Sequence, residues 1–323
     1  MALVEAVNTE YTGVGFQMQA TFEETVPGVE WPTLTVLAGA YFGLGLIVWF
    51  NAELPWWIIL PIGAYCACLH GSLQHEILHG HPTRSRRINH AMIFISPQLW
   101  LPFGRYRDLH LSHHNDANLT CPVRDPESYY MLPVNWASMP GWRRRICDFN
   151  NTLFGRMLIG PAISIAQFWP EEFLAMARGR LGGRNCWFAF AASSAFILLY
   201  LYWCGMPFWQ YVLLIAYPSI SLALVRSYCE HQAADNIGER TIIVEASALW
   251  SLLFLNNNLH IAHHERPAIA WYNLPRFYAS EKERLVLRNG NYLKLGYGQI
   301  FRSYFFHAKE TVVHPNPDWI RRS

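Results

Sequence analysis

The sequence predicts an all-α integral membrane protein, with four transmembrane helices in two hairpins, interfacial helices between them, and a histidine-rich cytoplasmic end. Three observations lead there. Four apolar runs are long enough to cross a hydrocarbon core of about 30 Å, which takes roughly 20 helical residues. Lys and Arg are confined to the two segments that follow the hairpins. Nine of the 14 histidines fall where those segments meet the ends of the spans. Composition agrees: 52% of the 323 residues are hydrophobic, only 15% are charged, and mean hydropathy is +0.08. A charged fraction so far below the usual value of about 25% excludes a disordered chain and argues against an ordinary soluble domain. A net charge of +2 is too small for a typical nucleic-acid binder.

The first run covers 31–50 and the second begins near Pro55 and reaches His75. The third covers 186–204 and the fourth 208–225. Their interiors carry no Lys, Arg, Asp or Glu, and joints at 51–54 and 205–207 are too short for anything but tight turns. Residues 1–79 and 185–225 contain no Lys or Arg, whereas Arg84 to Arg184 holds 13 and Arg226 to the end holds 12. The positive-inside rule therefore puts both basic segments, and with an even number of crossings both termini, in the cytoplasm. Weaker apolar stretches at 88–103, 153–169 and 246–255 are read as helices lying in the interface. Arg143, Arg144 and Arg145 suit an anionic-lipid anchor. No charged segment followed by an apolar stretch and a cleavage site marks a signal peptide. Without repeats or a flexible linker, 1–323 reads as one domain: a cytoplasmic segment 1–30, a core 31–275 and a cytoplasmic segment 276–323. The seven Cys form no CxxC pair and no disulfide framework.

The histidines form three boxes. HEILH at 75–79 sits where the second span ends, HLSHH at 110–114 follows it, and HIAHH at 260–264 lies in the second basic segment. His231 stands just past the fourth span. Residues three or four apart share a helix face, so His75 and His79 can enter one site, as can His110 with His113 or His114, and His260 with His263 or His264. Adjacent histidines point about 100° apart, so each HxxHH box can serve two metal ions side by side. A lone histidine is more often a hydrogen-bonded core residue, and His70, His90, His307 and His314 are read that way. Two HxxHH copies are different, since chance gives such a pair about once in a few thousand chains of this composition.

Nine nitrogens exceed the four that zinc usually takes. Four or five on each of two ions, with room for water or dioxygen, points to iron. Glu76 and His79 form one ExxH unit, but carboxylate-bridged di-iron bundles need a second, and there is none. HExxH at 75–79 also spells a zinc protease signature, which leaves both HxxHH boxes idle. An intramembrane metalloprotease stays as the alternative from another class, beside a non-catalytic metal-binding or transport protein.

These boxes, with HGHPT at 79–83, LTCPVRDPES at 119–128 and HIAHHERPAIAWYNLP at 260–275, resemble the membrane fatty acid desaturase/hydroxylase superfamily. The resemblance spans roughly Leu69 to Pro275 and is nearest to bacterial acyl-lipid-type desaturases; carotenoid ketolases carry similar boxes. It implies a cytoplasmic helical cap over a di-iron site in a bacterial inner membrane, with O2 as co-substrate. It makes His75, His79, His110, His113, His114, His231, His260, His263 and His264 the metal ligands. His81 becomes an extra ligand or a supporting group. One of Asn256, Asn257 and Asn258 would hold a metal-bound water. Glu76, Asp116, Asp125 and Glu127 would accept imidazole N–H bonds. The implied activity is O2-dependent desaturation or hydroxylation of a fatty acyl chain, with carotenoid or specialised-metabolite oxidation as the runner-up.

No GxGxxG follows a strand pattern and no Cys cluster suits an iron–sulfur centre, so the electrons are expected from an external donor: a ferredoxin, a rubredoxin or a cytochrome with its reductase. Trp56, Trp57, Trp100, Trp203 and Trp209 suit either the walls of an acyl channel or an interfacial belt. The competing readings part on three substitutions. The oxidase predicts that His113→Ala and His264→Ala each abolish turnover, whereas a protease would tolerate both and lose activity with Glu76→Gln.

Overall fold

The computed structural model describes residues 28–178 and 184–315. Four helices are long and apolar enough to span a membrane: α1 (Trp31–Trp49), α2 (Trp56–Leu78), α8 (spanning over Asn185–Trp203) and a fourth running Phe208–Glu230. Pro32 opens α1, where a missing N–H costs nothing. The α1–α2 turn and the chain after α8 lie at the same end, tied by Asn51 Nδ2 donating to the Cys204 carbonyl at 2.9 Å and by the Trp49–Trp203 ring pair. Box one stands at the opposite end of α2. That helix is the most enclosed of the four, with 50% of its apolar window buried against 17% for α8.

The fourth span extends five residues beyond the expected 208–225 and is not uniform. It divides into α9 (Phe208–Tyr211), a π turn (Val212–Ala216) and α10 (Tyr217–Glu230). Pro218 explains the π turn: it cannot donate to the carbonyl four residues back and its ring would strike it, so the helix widens there. At this level α2 comes close through Gly63, where a Cβ would stand 2.7 Å from Ile215 Cγ1. The helix α8 leans on α1, with the Tyr200 hydroxyl donating to the Gly45 carbonyl at 3.0 Å, while α10 packs on α2 and on α7 (Leu153–Ala177).

Two expectations for the short helices change. The stretch 88–103 is not one helix but α3 (Arg86–Met92) and the start of α4 (Phe103–His113), because Pro97 and Pro102 break the segment between them. The stretch 153–169 runs on to Ala177 as α7 despite Pro161 and Pro170 inside it. It crosses α10 with Ser221 Oγ donating to the Met157 carbonyl and the Tyr217 hydroxyl to that of Leu158. In the third stretch, α11 (Ala248–Leu253) is short, as expected. Trp56, Trp57, Trp203 and Trp209 are exposed at the turn end of the spans, remote from the histidines; they form a belt and not a channel wall. Trp100 is half-buried and meets Phe168.

Beyond α10 the cap is built from short pieces. A parallel pair, β1 (Ile243–Val244) with β2 (Leu293–Lys294), shares a core with α12 (His260–Glu265) and α13 (Leu274–Arg288), which also touch each other. After α14 (Tyr297–Tyr304) the chain returns across the cap, bridging Thr152 from Ala308 and Met131 from Val313. The turn from α6 (Gly141–Asn150) into α7 receives it, and Gly155 is what lets that turn close. A Cβ there would lie 1.8 Å from the Phe149 carbonyl oxygen, while one at Gly141 meets nothing within 4 Å. Gly155→Ala should therefore cost about 1–3 kcal/mol and visibly lower the detergent melting temperature. Gly141→Ala should leave the melting temperature unchanged; equal melts for the two variants would contradict this account of the turn.

Candidate metal centre

The nine predicted histidines gather in two groups. His75, His79, His110, His114 and His263 offer nitrogens within 4.8 Å of one another, and His113, His231, His260 and His264 do the same. Helix periodicity explains the division. In α4, His110 and His114 are one turn apart and enter the five-histidine group, while His113 turns toward the other. In α12 the split is reversed: His260 and His264 enter the four-histidine group and His263 crosses over. Each HxxHH box thus feeds both positions, and the two groups are neighbours, with His114 and His264 rings stacked at 4.5 Å.

Tautomers follow from what the outer ring nitrogens meet. His113 Nδ1 lies 2.8 Å from Asp125, His110 Nδ1 2.8 Å from Glu127, and His264 Nδ1 2.9 Å from Asp116. His260 Nδ1 faces Asn257 Oδ1 at 2.9 Å. An imidazole donating through Nδ1 to an oxygen carries its lone pair on Nε2. Those Nε2 atoms converge: His113 to His231 at 3.0 Å, His260 to His231 at 3.1 Å, His114 to His110 at 3.0 Å and His263 to His114 at 3.2 Å. Lone pairs set face to face repel unless a cation lies between them. With metal–nitrogen bonds of about 2.1 Å, two ligands at right angles stand about 3.0 Å apart, so the spacing fits a shared ion. The buried Nε2 atoms of His79 and His264 have no hydrogen-bond partner, as donors aimed at a metal would not. The donor set fits two imidazole-bound transition metals.

Electrostatics favours neutral donors. Burial and neighbouring imidazoles push His79 down to about 3, and hold His114, His231, His260 and His263 below the ordinary histidine value. Burial likewise lowers His110 and His264, against the pull of Glu127 and Asp116. His113 is the exception. Its burial lowers it, but the Glu127 and Asp125 carboxylates outweigh that and raise it to about 9.

Three of the four acids singled out by sequence lie where expected, and Glu76 does not. It points away from both groups, accepting the Trp271 N–H at 2.8 Å and standing 3.9 Å from His81. His81 is likewise outside both groups, with Nδ1 2.5 Å from Glu30. Sequence left three asparagines open, and only Asn257 reaches the histidines, bonding His260 and approaching His75 at 3.4 Å; Asn256 and Asn258 serve the Trp271 and Val244 carbonyls. Thr120 was missed. Its φ of 71° is unusual for a β-branched residue, and its N–H donates to the Asp125 that holds His113. The position of Thr120 inside LTCPVRDPES was the available signal. His70 bonds the Tyr41 hydroxyl, in keeping with a core role.

A family model described as fatty acid desaturase matches residues 51–295. The chain belongs to the fatty acid desaturase family. No curated protein matches it. Membership makes this desaturase-family chain a membrane-embedded oxidoreductase of lipid substrates. The HExxH protease reading is set aside, because Glu76 faces Trp271 and not the histidines.

The raised His113 gives a pH signature. Its proton must leave before Nε2 can hold a metal, so metal affinity of the four-histidine group should climb between pH 7 and about 9 and then level. Asp125→Asn should flatten that climb and cost about 10–100-fold in affinity at pH 9. Chelator competition with zinc as the probe reads both, and a climb as steep and as late in Asp125→Asn as in wild type would contradict the assignment.

Proposed function

We propose that the protein is an O2-dependent di-iron desaturase or hydroxylase of a fatty acyl chain, its nine histidines ligating two irons as five and four. The observation that carries this reading is the convergence of imidazole lone pairs at two adjacent points in the interior. Bound there, the iron pair would supply the oxidising power to take hydrogen from an unactivated C–H bond, using O2, two electrons and two protons.

The chain's own residues would do the rest. Asp125, Glu127, Asp116 and Asn257 fix the ligand tautomers and ring orientations, which raises nitrogen basicity toward the metal. Glu127 is also placed to bring protons in. One of its oxygens lies 3.9 Å from His113 Nε2, the side chain is 31% exposed, and it lines a small cavity together with Asp125, Ser227, Glu230 and His231. Seven of the nine histidines are buried and His79 and His114 half-buried, which would limit bulk water at the centre. The spans bring the acyl chain from the lipid, and the branch between alkene and alcohol depends on where its carbon rests. Electrons would come from an external carrier docking on the basic face; the confinement of Lys and Arg to the segments after the two hairpins supports a cytoplasmic side for that face, and the resemblance to bacterial desaturases supports a bacterial inner membrane.

Two experiments test the proposal. Expression in a host that makes only saturated and monounsaturated acyl chains should give a new unsaturated or hydroxylated fatty acid under air, absent without O2 and absent with His264→Ala. An unchanged fatty acid profile, together with no O2 uptake by the iron-loaded enzyme supplied with acyl lipids and reduced donor, would sink it. If the donor docks electrostatically, raising salt from about 0.05 to 0.5 M should slow turnover several-fold at limiting donor. Salt-insensitive rates would remove the docking model.

A further inference from the structure

Among the described residues, His231 is the one member of its group held without a side-chain carboxylate or amide. His113, His264 and His260 have Asp125, Asp116 and Asn257 at 2.8–2.9 Å. His231 Nδ1 has only the Arg240 carbonyl at 3.3 Å and the Thr241 hydroxyl at 3.4 Å. It also lies outside any helix, in extended conformation (φ −128°, ψ 150°) just after α10. Its main chain pairs with Thr241 in an isolated antiparallel bridge, flanked by Gln232 N–H on the Arg240 carbonyl and Ile242 N–H on the Glu230 carbonyl, and its own carbonyl is held from the cap.

The main chain of His231 is gripped from beyond the residues the family model reaches. Lys309, on the segment that returns across the cap, donates its ammonium to the His231 carbonyl at 2.5 Å, beside a longer bond to the same oxygen from the Tyr129 hydroxyl at 3.2 Å. The same ammonium meets Glu310 at 2.6 Å and the Tyr292 hydroxyl at 3.3 Å, which uses all three of its protons. Its side chain is only 7% exposed. A buried ammonium is costly unless paired and hydrogen-bonded, and here each bond also fixes its position. The segment is itself anchored: the Lys309 N–H donates to the Tyr228 hydroxyl at 3.1 Å, Glu310 accepts from Tyr129, and Asn151 Nδ2 donates to the Glu310 carbonyl.

We propose that Lys309 is a positioning residue for the four-histidine metal site, acting through the His231 main chain, and that Glu310 holds it in place. The proposal rests on the two-iron reading above. It assigns to a C-terminal strap the task that carboxylates perform for the other ligands.

The test is iron content and 57Fe Mössbauer spectra of the full chain purified in detergent. Wild type should hold two irons in two resolved signals, and the signal that His264→Ala removes marks the four-histidine site. Lys309→Met should weaken that site by about 10–100-fold and deplete its signal alone, leaving the five-histidine signal intact. Lys309→Arg, which keeps the charge and the donor, should restore it. Glu310→Gln, a milder change that leaves Lys309 in place, should give the same selective loss at smaller size, and stands in if Lys309→Met does not fold. Unchanged spectra, loss of both signals together, or failure of arginine to rescue would overturn the strap while leaving the two-iron reading standing. Wild type that binds other than two irons would overturn both.

Discussion

Nine imidazoles gathered side by side, seven of them buried, with ring nitrogens converging inward form an arrangement that destabilises itself unless cations occupy its centre. The rest of the cap exists to hold that arrangement. The carboxylates of Asp116, Asp125 and Glu127 and the amide of Asn257 take the outward N–H groups and so force the inward lone pairs. Thr120 accepts an unusual backbone conformation and donates its N–H to Asp125. These are costs that a fold without a metal would have no reason to carry.

The membrane part sets the stage for the same constraint. The most enclosed span, α2, delivers His75 and His79 from its end, and α10 delivers His231 from beyond its own. The π turn forced by Pro218 and the close approach at Gly63 bring those two spans together at mid-length, well below the histidines. Around box one, a second buried network joins Glu30, Thr33, Glu76, His81 and Trp271. It ties the start of α1 and the loop after box three to the end of α2, so the first and third boxes share one frame.

Much of this was legible in the residues because the bilayer leaves so few choices. Apolar length and the placement of Lys and Arg located four spans to within a few residues at most of their ends. Box spacing foretold that each HxxHH would serve two positions, since adjacent residues on a helix cannot share a face. What spacing could not give was the partition itself: His110 with His114, but His260 with His264, depends on how α4 and α12 are rotated toward each other. The resemblance made Glu76 a support for the histidines, yet its place between two of them on a helix turns it to another face. In the 88–103 stretch Pro97 and Pro102 outweigh the apolar content and leave two separate helices, α3 and α4. Lys309 lay 45 residues past the last box and carried no local signal; only the folded chain brings it to His231.

The central claim is that these histidines hold two metals, divided five and four. An anomalous difference map collected across the iron edge from crystals of the iron-loaded protein tests it most directly. The account predicts two peaks, one among His75, His79, His110, His114 and His263 and the other among His113, His231, His260 and His264. A single peak, or two peaks lying outside these groups, would contradict it.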